Sequence, residues 1–307
     1  MPDNNKITII LIQGPTGVGK TTAALQLADI APVEIINADS MQVYQGMDIG
    51  TSKTESTQQA LVPHHLFSIA DPGEDFSAAD YVRLGRAAIK DIAARGRIPL
   101  VVGGTGLYVR VLLHGLSSAP EGDEQLRVQL RQQNPAELYE WLRDVDPQSV
   151  VKIKPQDTLR IIRALEVFIT TGTPLSTHHA AHRFQPVFYN ALKLCLNRER
   201  AKLYSYINQR VKQMFDDGLI QEVRGLLERG IPETAKPMQS IGYRHVVEYL
   251  RGEYDLDKTI QRMQKDTRRL AKRQLTWLRR EPEAHWINLP QEQDLIAVCA
   301  KKALNKG

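Results

Sequence analysis

Residues 14–21, reading GPTGVGKT, combine closely spaced glycines with a lysine and a hydroxyl side chain. Glycine allows backbone conformations in which successive amides point toward one anion. Lys20 adds a positive charge, and the Thr21 hydroxyl is the usual ligand for a Mg²⁺ ion on bound phosphates. An apolar run precedes the segment and a helical pattern follows it, as a phosphate-binding loop requires. The sequence therefore predicts a site for a diphosphate or triphosphate, with ATP among the candidate nucleotides.

An acidic residue that could hold the metal ion is missing where a nucleotide-hydrolysing enzyme would carry one. Such enzymes place that residue at the end of an apolar strand. The best candidate strand here, residues 100–102, ends instead in Gly103-Gly104-Thr105. This pattern favours a diphosphate that leaves over an ATP that is hydrolysed. A small-molecule or nucleoside kinase is the alternative, and ATP consumption would identify it.

Asp39 is the acidic residue nearest in sequence to the predicted phosphate site. It follows a short apolar stretch at 33–36, and ligands of parallel sheets bind at the carboxyl ends of strands. Within hydrogen-bond reach of a substrate it could act as a general base. The alternative is an aspartate that only forms a turn or caps a helix. Spacing alone does not decide between them.

Charge is distributed unevenly along the chain. Residues 1–120 hold 9 Lys/Arg and 11 Asp/Glu, whereas the remainder holds 31 and 24, so its net charge is +7. Residues 258–280 carry nine Lys/Arg against one acid, Asp266, with apolar residues at helical spacing. This ratio favours a basic helix face that contacts a phosphate backbone over a merely solvated face. A nucleic acid is the natural second partner.

Apolar strands alternate with helical patterns, which predicts an α/β fold with a P-loop-type doubly wound parallel sheet. Strands are expected at 7–12, 33–36, 65–69, 98–102, 191–196 and 286–289. Helices are expected at 22–31, 76–95, 199–229, 240–251, 257–280 and 291–305, the second capped by Ser77. Residues 121–186 form a small all-helical insertion domain, and the core comprises 1–120 and 187–307. No signal peptide or membrane span is expected, and two distant cysteines fit a cytoplasmic protein.

Six blocks in order resemble bacterial tRNA dimethylallyltransferases, the tRNA isopentenyltransferase family. They are GPTGVGKT, DSMQVY leading into MDIGTSK, VVGGTGLY, DTLRIIRALEV, IGYR and AKRQLTWLR. The resemblance covers nearly the whole chain. It implies transfer of a dimethylallyl group from dimethylallyl diphosphate to the exocyclic amine of an adenine. That adenine is position 37, immediately 3′ of the anticodon, in tRNAs reading codons that begin with U.

The same resemblance implies roles for individual residues. Asp39 accepts the proton of the adenine amine, Arg210 neutralises the diphosphate, and Thr21 holds Mg²⁺. The diphosphate or nucleotide is bound by Gly14, Pro15, Thr16, Gly17, Val18, Gly19, Lys20 and Thr21. The tRNA anticodon stem-loop is contacted by Asp39, Ser40, Met41, Gln42, Thr105, Gln156, Asp157, Thr158, Leu159, Arg160, Gln239, Ser240, Ile241, Gly242, Tyr243, Arg244, Lys272, Arg273, Gln274, Leu275, Thr276, Trp277, Leu278 and Arg279. The enzyme is expected to be a monomer.

Two rival functions follow from the same residues. An isopentenyltransferase that acts on free adenine nucleotides is the closest chemically, and the basic stretch at 258–280 favours tRNA over a mononucleotide. A non-catalytic RNA-binding protein would not need GPTGVGKT.

Overall fold

An apolar strand in the middle of a parallel sheet leads directly into the phosphate-binding loop. The computed structural model describes residues 6–117, 119–182, 187–281 and 283–304. Its strands are β1 (Thr8–Gln13), β2 (Val33–Asn37), β3 (His64–His65), β4 (Ile98–Gly103), β5 (Asn190–Arg198) and β6 (His285–Leu289). All pair in parallel, in the order β3-β2-β4-β1-β5-β6. This confirms the predicted doubly wound α/β fold class.

Helices connect the strands and extend the C-terminal half. They are α1 (Lys20–Ala28), α2 (Ser56–Gln59), α3 (Ala78–Ala94), α4 (Gly106–His114), α5 (Glu124–Arg131), α6 (Pro135–Val145), α7 (Pro147–Val150), α8 (Thr158–Thr171), α9 (Leu175–His182), α10 (Arg200–Asp216), α11 (Leu219–Glu228), α12 (Tyr243–Leu250), α13 (Leu256–Leu278) and α14 (Leu295–Leu304). Ser77 caps α3 as expected, and its hydroxyl accepts a hydrogen bond from the Asp80 amide at 3.1 Å. In the described part of the chain, no helix is long and apolar enough to span a bilayer.

The sheet is buried on both faces, which explains the continuous apolar runs of its central strands. Successive residues of a strand point to opposite faces. Ile9 and Leu11 of β1 therefore join one core, whereas Ile10 and Ile12 join the other. The first core includes residues of α3, α4 and α10 to α13, and the second includes residues of α1, α10 and α14.

The chain divides into two compact units, Met1–Leu113 with Phe188–Gly307, and His114–Val187. The second unit contains α5 to α9 and no strand within its described residues. A separate apolar core, with Leu142, Ile161 and Leu165 fully buried, holds these helices together. The bounds predicted for the insertion, 121–186, lie within this second unit, which extends from His114 to Val187.

Three elements differ in extent from the sequence prediction. The strand expected at 65–69 stops after two residues, because Leu66 and Ser68 have positive φ angles of 64° and 51°. The helix expected at 199–229 is divided by Gly218, whose φ of 101° ends α10 before α11 begins. The last helix begins at Leu295 instead of 291. Before it, Glu292 accepts a hydrogen bond from the Asn288 amide at 2.7 Å in a turn.

Candidate active site

The loop between β1 and α1 has the geometry of an anion site. Gly17 and Gly19 adopt positive φ angles of 78° and 109°, which side chains disfavour. Gly19 precedes α1 and supplies no side-chain cap, so amides of the first helical turn stay available. The Lys20 ammonium donates to the carbonyl oxygens of Gly14 and Pro15 at 3.1 and 3.0 Å. Helix dipole, free amides and lysine therefore converge on one point.

Burial disfavours the charged forms of two side chains in this site, Lys20 and Arg210. Burial lowers the pKa of Lys20 to about 8, although the Asp39 carboxylate opposes this shift and Arg210 adds to it. Burial also lowers the pKa of Arg210, again opposed by Asp39. A bound anion would relieve both penalties, because it favours the charged form of each side chain. The electrostatics therefore suit a ligand with more negative charge than Asp39 alone provides.

Two cavities meet at these charged side chains. The first, of about 240 Å³, lies over the phosphate-binding loop and is lined by Thr16, Gly17, Gly19, Lys20 and Thr21, and by Asp39, Gln42, Thr51, Ser52 and Arg210. The second, of about 390 Å³, has an apolar wall of Met41, Val211, Met214, Ile241, Met263 and Leu270. Both cavities include Thr16, Asp39, Thr51 and Arg210 in their linings. A ligand reaching from one to the other would pass Asp39.

Hydrogen bonds from neighbouring residues hold Asp39 in place through its backbone and through one of its two carboxylate oxygens. The buried side chain of Asn37 donates through Nδ2 to the carbonyl oxygens of Asp39 and Leu66, both at 3.0 Å. Its Oδ1 accepts from the backbone amide of Asp39 at 2.8 Å. Asp39 Oδ1 accepts from the Met41 amide at 2.9 Å. Among the described residues, Asp39 Oδ2 accepts no hydrogen bond. The aspartate thus forms a turn through one oxygen while the residue lines both cavities, and its role as a general base stays a prediction.

The strand end that lacks an acid is closed by direct packing against the Asp39 loop. A Cβ atom at Gly103 would lie 2.1 Å from the Ala38 carbonyl oxygen, so no side chain fits there. The Thr105 amide donates to that carbonyl oxygen at 3.1 Å, and the Thr105 hydroxyl accepts from the Ser40 amide at 3.0 Å. The glycine is therefore a requirement of the fold, and Thr105 fixes the loop that carries Asp39.

Gln274 of α13 joins the phosphate-binding loop to the glycine-rich end of β4. Its Oε1 accepts from the Thr16 amide at 2.8 Å, and its Nε2 donates to the Gly104 carbonyl oxygen at 3.1 Å. One helical turn further on, the Trp277 ring lies against Gly106, where a Cβ atom would be only 2.4 Å from the indole. Both side chains point toward the site loops and are half-buried. Contact between this segment and tRNA stays a prediction.

Replacing Gln274 with glutamate should weaken diphosphate binding about tenfold or more. The carboxylate can still accept from the Thr16 amide, but it cannot donate to the Gly104 carbonyl oxygen and adds negative charge beside the anion site. Titration calorimetry with inorganic diphosphate measures the effect. Thr276→Glu is the matched control, because Thr276 is exposed on the same helix and receives the same charge. Equal affinities in both variants would show that Gln274 does not shape the site.

The other predicted tRNA contacts fall into distinct environments. Lys272, Arg273 and Thr276 are exposed on α13 and Arg279 is exposed directly after it, whereas Leu275 and Leu278 face the core. Ser240 and Ile241 line the second cavity, Gln239 is exposed, and Gly242 precedes α12. Arg244 pairs with Asp266, whereas the Tyr243 side chain is fully buried and supports its segment from inside.

The remaining predicted contacts lie in the helical unit. Asp157 caps α8 and accepts from the Arg160 amide at 3.3 Å, and Thr158, Leu159 and Arg160 form the first turn. Gln156 precedes this cap, and the Leu159 side chain is 74% exposed. An exposed leucine beside a capped helix start is compatible with the predicted RNA contact but does not test it.

Sequence reasoning missed several side chains that build the site. Asn37 has a local signal, since a polar residue ends an apolar strand two positions before Asp39. Thr51 and Ser52 belong to the MDIGTSK block but received no role. Glu222, which hydrogen-bonds the loop at 48–50, has no signal in the local sequence, because its partners in that loop lie more than 170 residues away.

Comparison with known proteins identifies the family. The sequence model of the IPP transferase family matches residues 42–281, and that of the isopentenyl transferase family matches residues 7–61. A tRNA dimethylallyltransferase of Geobacter metallireducens is 46% identical over 300 residues, covering 96% of this chain and 97% of the relative. One of Geobacter sulfurreducens is 45% identical over 302 residues, with 97% of each chain covered.

Solved structures agree with this assignment. A tRNA isopentenylpyrophosphate transferase from Bacillus halodurans superposes with a TM-score of 0.73 at 38% identity, covering 98% of both chains. A eukaryotic dimethylallyltransferase acting on tRNA gives a TM-score of 0.83 at 28% identity, covering 97% of this chain and 80% of that chain. With a family model that spans most of the sequence and relatives that match it from end to end, the chain belongs to the IPP transferase family.

Proposed function

We propose that this protein is a tRNA dimethylallyltransferase, which transfers a dimethylallyl group from dimethylallyl diphosphate to the exocyclic amine of an adenine in tRNA. The observation that carries the proposal is the meeting of a cationic cavity and an apolar cavity at Asp39 and Arg210. A diphosphate fits the first cavity, and the second offers an apolar wall for a prenyl group and a purine. The names of the relatives agree with this chemistry.

The reaction needs one bond to form and one to break. The adenine nitrogen attacks the allylic carbon, the carbon–oxygen bond to the diphosphate breaks, and the amine loses a proton. Asp39 Oδ2 is the free acceptor for that proton. Lys20, Arg210 and the loop amides stabilise the charge on the leaving diphosphate, and each preorganised donor contributes about 3 kcal/mol. The products are the prenylated tRNA, diphosphate and a proton.

Mg²⁺ is the proposed cofactor, with the Thr21 hydroxyl as its protein ligand. Oxygen donors suit this ion, and it usually binds through one or two protein groups together with substrate phosphates and water. Thr21 lines the first cavity beside Lys20, so the donor set fits. Among the described residues no group of three His, Cys, Asp or Glu side chains could hold a metal ion by itself. When bound, Mg²⁺ would neutralise diphosphate charge.

The acceptor we propose is the adenine immediately 3′ of the anticodon in tRNAs that read codons beginning with U. An adenine in an anticodon loop must leave its stack before the amine can reach Asp39, which costs a few kcal/mol. The exposed basic face of α13 can offset that cost through contacts with the RNA backbone. We further propose that the enzyme acts as a monomer in the cytoplasm, where its substrate is found; light scattering checks the first point.

Neutralising Lys272 and Arg273 together should weaken tRNA binding and flatten its dependence on salt. Both side chains are exposed and, within the described residues, have no ion-pair partner. Removing two phosphate contacts should reduce the slope of log K against log salt by up to about two. A double variant of Lys90 and Arg224, exposed on α3 and α11, removes the same charge elsewhere. Equal slopes for both double variants would show that the α13 face is only solvated.

One assay tests the function and its rivals together. The protein is incubated with Mg²⁺ and either labelled dimethylallyl diphosphate or γ-labelled ATP, and with unmodified tRNA or AMP as acceptor. Label from dimethylallyl diphosphate in the anticodon loop is the expected result. Preferential labelling of AMP would identify a transferase for free adenine nucleotides instead. Transfer of phosphate from ATP would identify a kinase and overturn the proposal.

A further inference from the structure

A single carboxylate outside the predicted site holds the loop that completes the diphosphate cavity. Glu222 Oε2 accepts hydrogen bonds from the amides of Asp48 and Ile49 at 2.9 and 2.7 Å, and Oε1 accepts from the Gly50 amide at 3.0 Å. Three consecutive backbone donors therefore share one acceptor. Hydrogen bonds with a charged partner are among the stronger ones in proteins, so this side chain is a strong anchor for the loop.

The residues that follow this anchor line the cavities. Thr51 borders both cavities, and Ser52 borders the diphosphate cavity. The side-chain Nε2 of Gln42 donates to the carbonyl oxygens of Thr51 and Ser52 at 3.1 and 3.3 Å. Ser52 has a φ of 47°, which is uncommon for a residue with a side chain and needs support from its surroundings. The loop is thus fixed by Glu222 before the cavity and by Gln42 within it.

Tyr243 fixes Glu222 and limits where the loop can lie. Its hydroxyl donates to Glu222 Oε1 at 2.6 Å, and the side chain is fully buried. A Cβ atom at Gly50 would lie 2.5 Å from the Tyr243 ring, so the loop backbone approaches the ring as closely as a glycine permits. The carboxylate attracts the loop to one position, and the ring excludes positions beyond it.

We propose that Glu222 is a positioning residue that holds residues 48–52 in the conformation that completes the diphosphate cavity. This inference rests on the proposed transfer from dimethylallyl diphosphate. Without the carboxylate, the loop would spend much of its time in other conformations, and the ligand would have to select the competent one. Apparent affinity falls in proportion to the competent fraction, whereas turnover at saturation changes little.

The test compares Glu222→Gln with the parent. In either orientation, glutamine places its NH₂ group against at least one backbone N–H, and a backbone N–H can only donate, so that hydrogen bond is lost. The Tyr243 hydroxyl, in contrast, can rotate and accept from the NH₂ group. We expect the Kd for inorganic diphosphate with Mg²⁺, and the KM for dimethylallyl diphosphate, to rise about tenfold or more. The kcat should stay within about threefold of the parent because a saturating ligand restores the loop. Glu222→Asp keeps an acceptor-only carboxylate and should show a smaller rise.

Glu228→Gln is the matched control, since it removes the same charge from an exposed position of α11. A lower melting temperature with unchanged Kd and KM would show that Glu222 is only structural and would overturn the proposal. A lower kcat with unchanged KM would overturn it too. If Glu222→Gln does not fold, Gly50→Ala displaces the loop without changing Glu222, because its Cβ atom would lie 2.5 Å from the Tyr243 ring. It should raise KM in the same way, and an unchanged KM would contradict the proposal.

The diphosphate measurement needs no RNA, so the two proposals can fail separately. A parental enzyme that does not modify tRNA would refute the proposed function, whereas the Kd for diphosphate would still test Glu222. Conversely, equal diphosphate affinity in the parent and Glu222→Gln would refute the positioning role and leave the transferase activity in place.

Discussion

Replacing Asp39 with asparagine is expected to slow dimethylallyl transfer roughly 10²- to 10⁴-fold, the usual contribution of a general base. The asparagine side chain would keep an Oδ1 atom that accepts from the Met41 amide, which in the parent lies 2.9 Å from Asp39 Oδ1. It would replace the free Oδ2 by an NH₂ group that cannot take a proton. The turn should therefore be retained while dimethylallyl transfer becomes slower.

The measurement is single-turnover transfer at saturating dimethylallyl diphosphate and tRNA, at pH 7. The Asp39 carboxylate raises the pKa of Lys20, so its loss lowers that pKa further, but the saturating diphosphate favours the charged ammonium and keeps Lys20 protonated. Asp39→Ala is the companion variant, because it also removes the turn hydrogen bond, which is worth about 1 kcal/mol of stability. A near-parental rate for the asparagine variant would mean that Asp39 only positions the loop.

The parts of the site that the sequence could predict are encoded within a few residues. The phosphate-binding loop follows from its glycines, its lysine and the strand and helix around it, because these groups act on one another locally. The position of Asp39 near that loop follows from a general property of parallel sheets, whose carboxyl ends share one edge. The basic face of α13 follows from charge and helical period alone. Its RNA contacts still await a test.

The parts that could not be predicted depend on pairs of residues far apart in the chain. Gln274 reaches Thr16 across 258 positions, and Glu222 reaches Gly50 across 172. No local pattern identifies either partner. The resemblance placed Tyr243 and Gln274 in segments that contact tRNA, but it could not say which way each side chain points. The structure shows Tyr243 on Glu222 and Gln274 on the phosphate-binding loop.

The end of β4 is a second feature whose physical cause could not be predicted from the sequence. In the sequence, the missing acid after β4 indicates a reaction in which diphosphate leaves and ATP is not hydrolysed. The structure adds a steric reason, because the Ala38 carbonyl oxygen occupies the space that any side chain at Gly103 would need. An enzyme that needed a carboxylate there would also have to move the Asp39 loop. The position of the base and the absence of a second acid are therefore linked through one close backbone contact.

Removing the Lys20 ammonium should produce the second large effect, a loss of about 10²- to 10³-fold in kcat/KM for dimethylallyl diphosphate in Lys20→Ala. The reason is that Lys20 lies at the start of α1, where the leaving diphosphate develops its charge. Binding of tRNA should change little, because Lys20 lines the diphosphate cavity and not the exposed face of α13. Parental affinity for dimethylallyl diphosphate in this variant would contradict the assignment of the loop.

The pH dependence of binding gives a sharper form of the same prediction. Burial lowers the pKa of Lys20 to about 8 in the free enzyme, and the diphosphate binds the protonated form. Below that pKa, Lys20 is protonated and adds no pH dependence to the affinity. Above it, binding must take up a proton, so the Kd should rise about tenfold per pH unit. Lys20→Arg keeps its charge throughout this range, and comparison with it cancels the ionisation of the ligand itself. Parallel pH profiles for parent and Lys20→Arg would show that Lys20 stays charged in the empty site, and that its burial does not tune diphosphate binding.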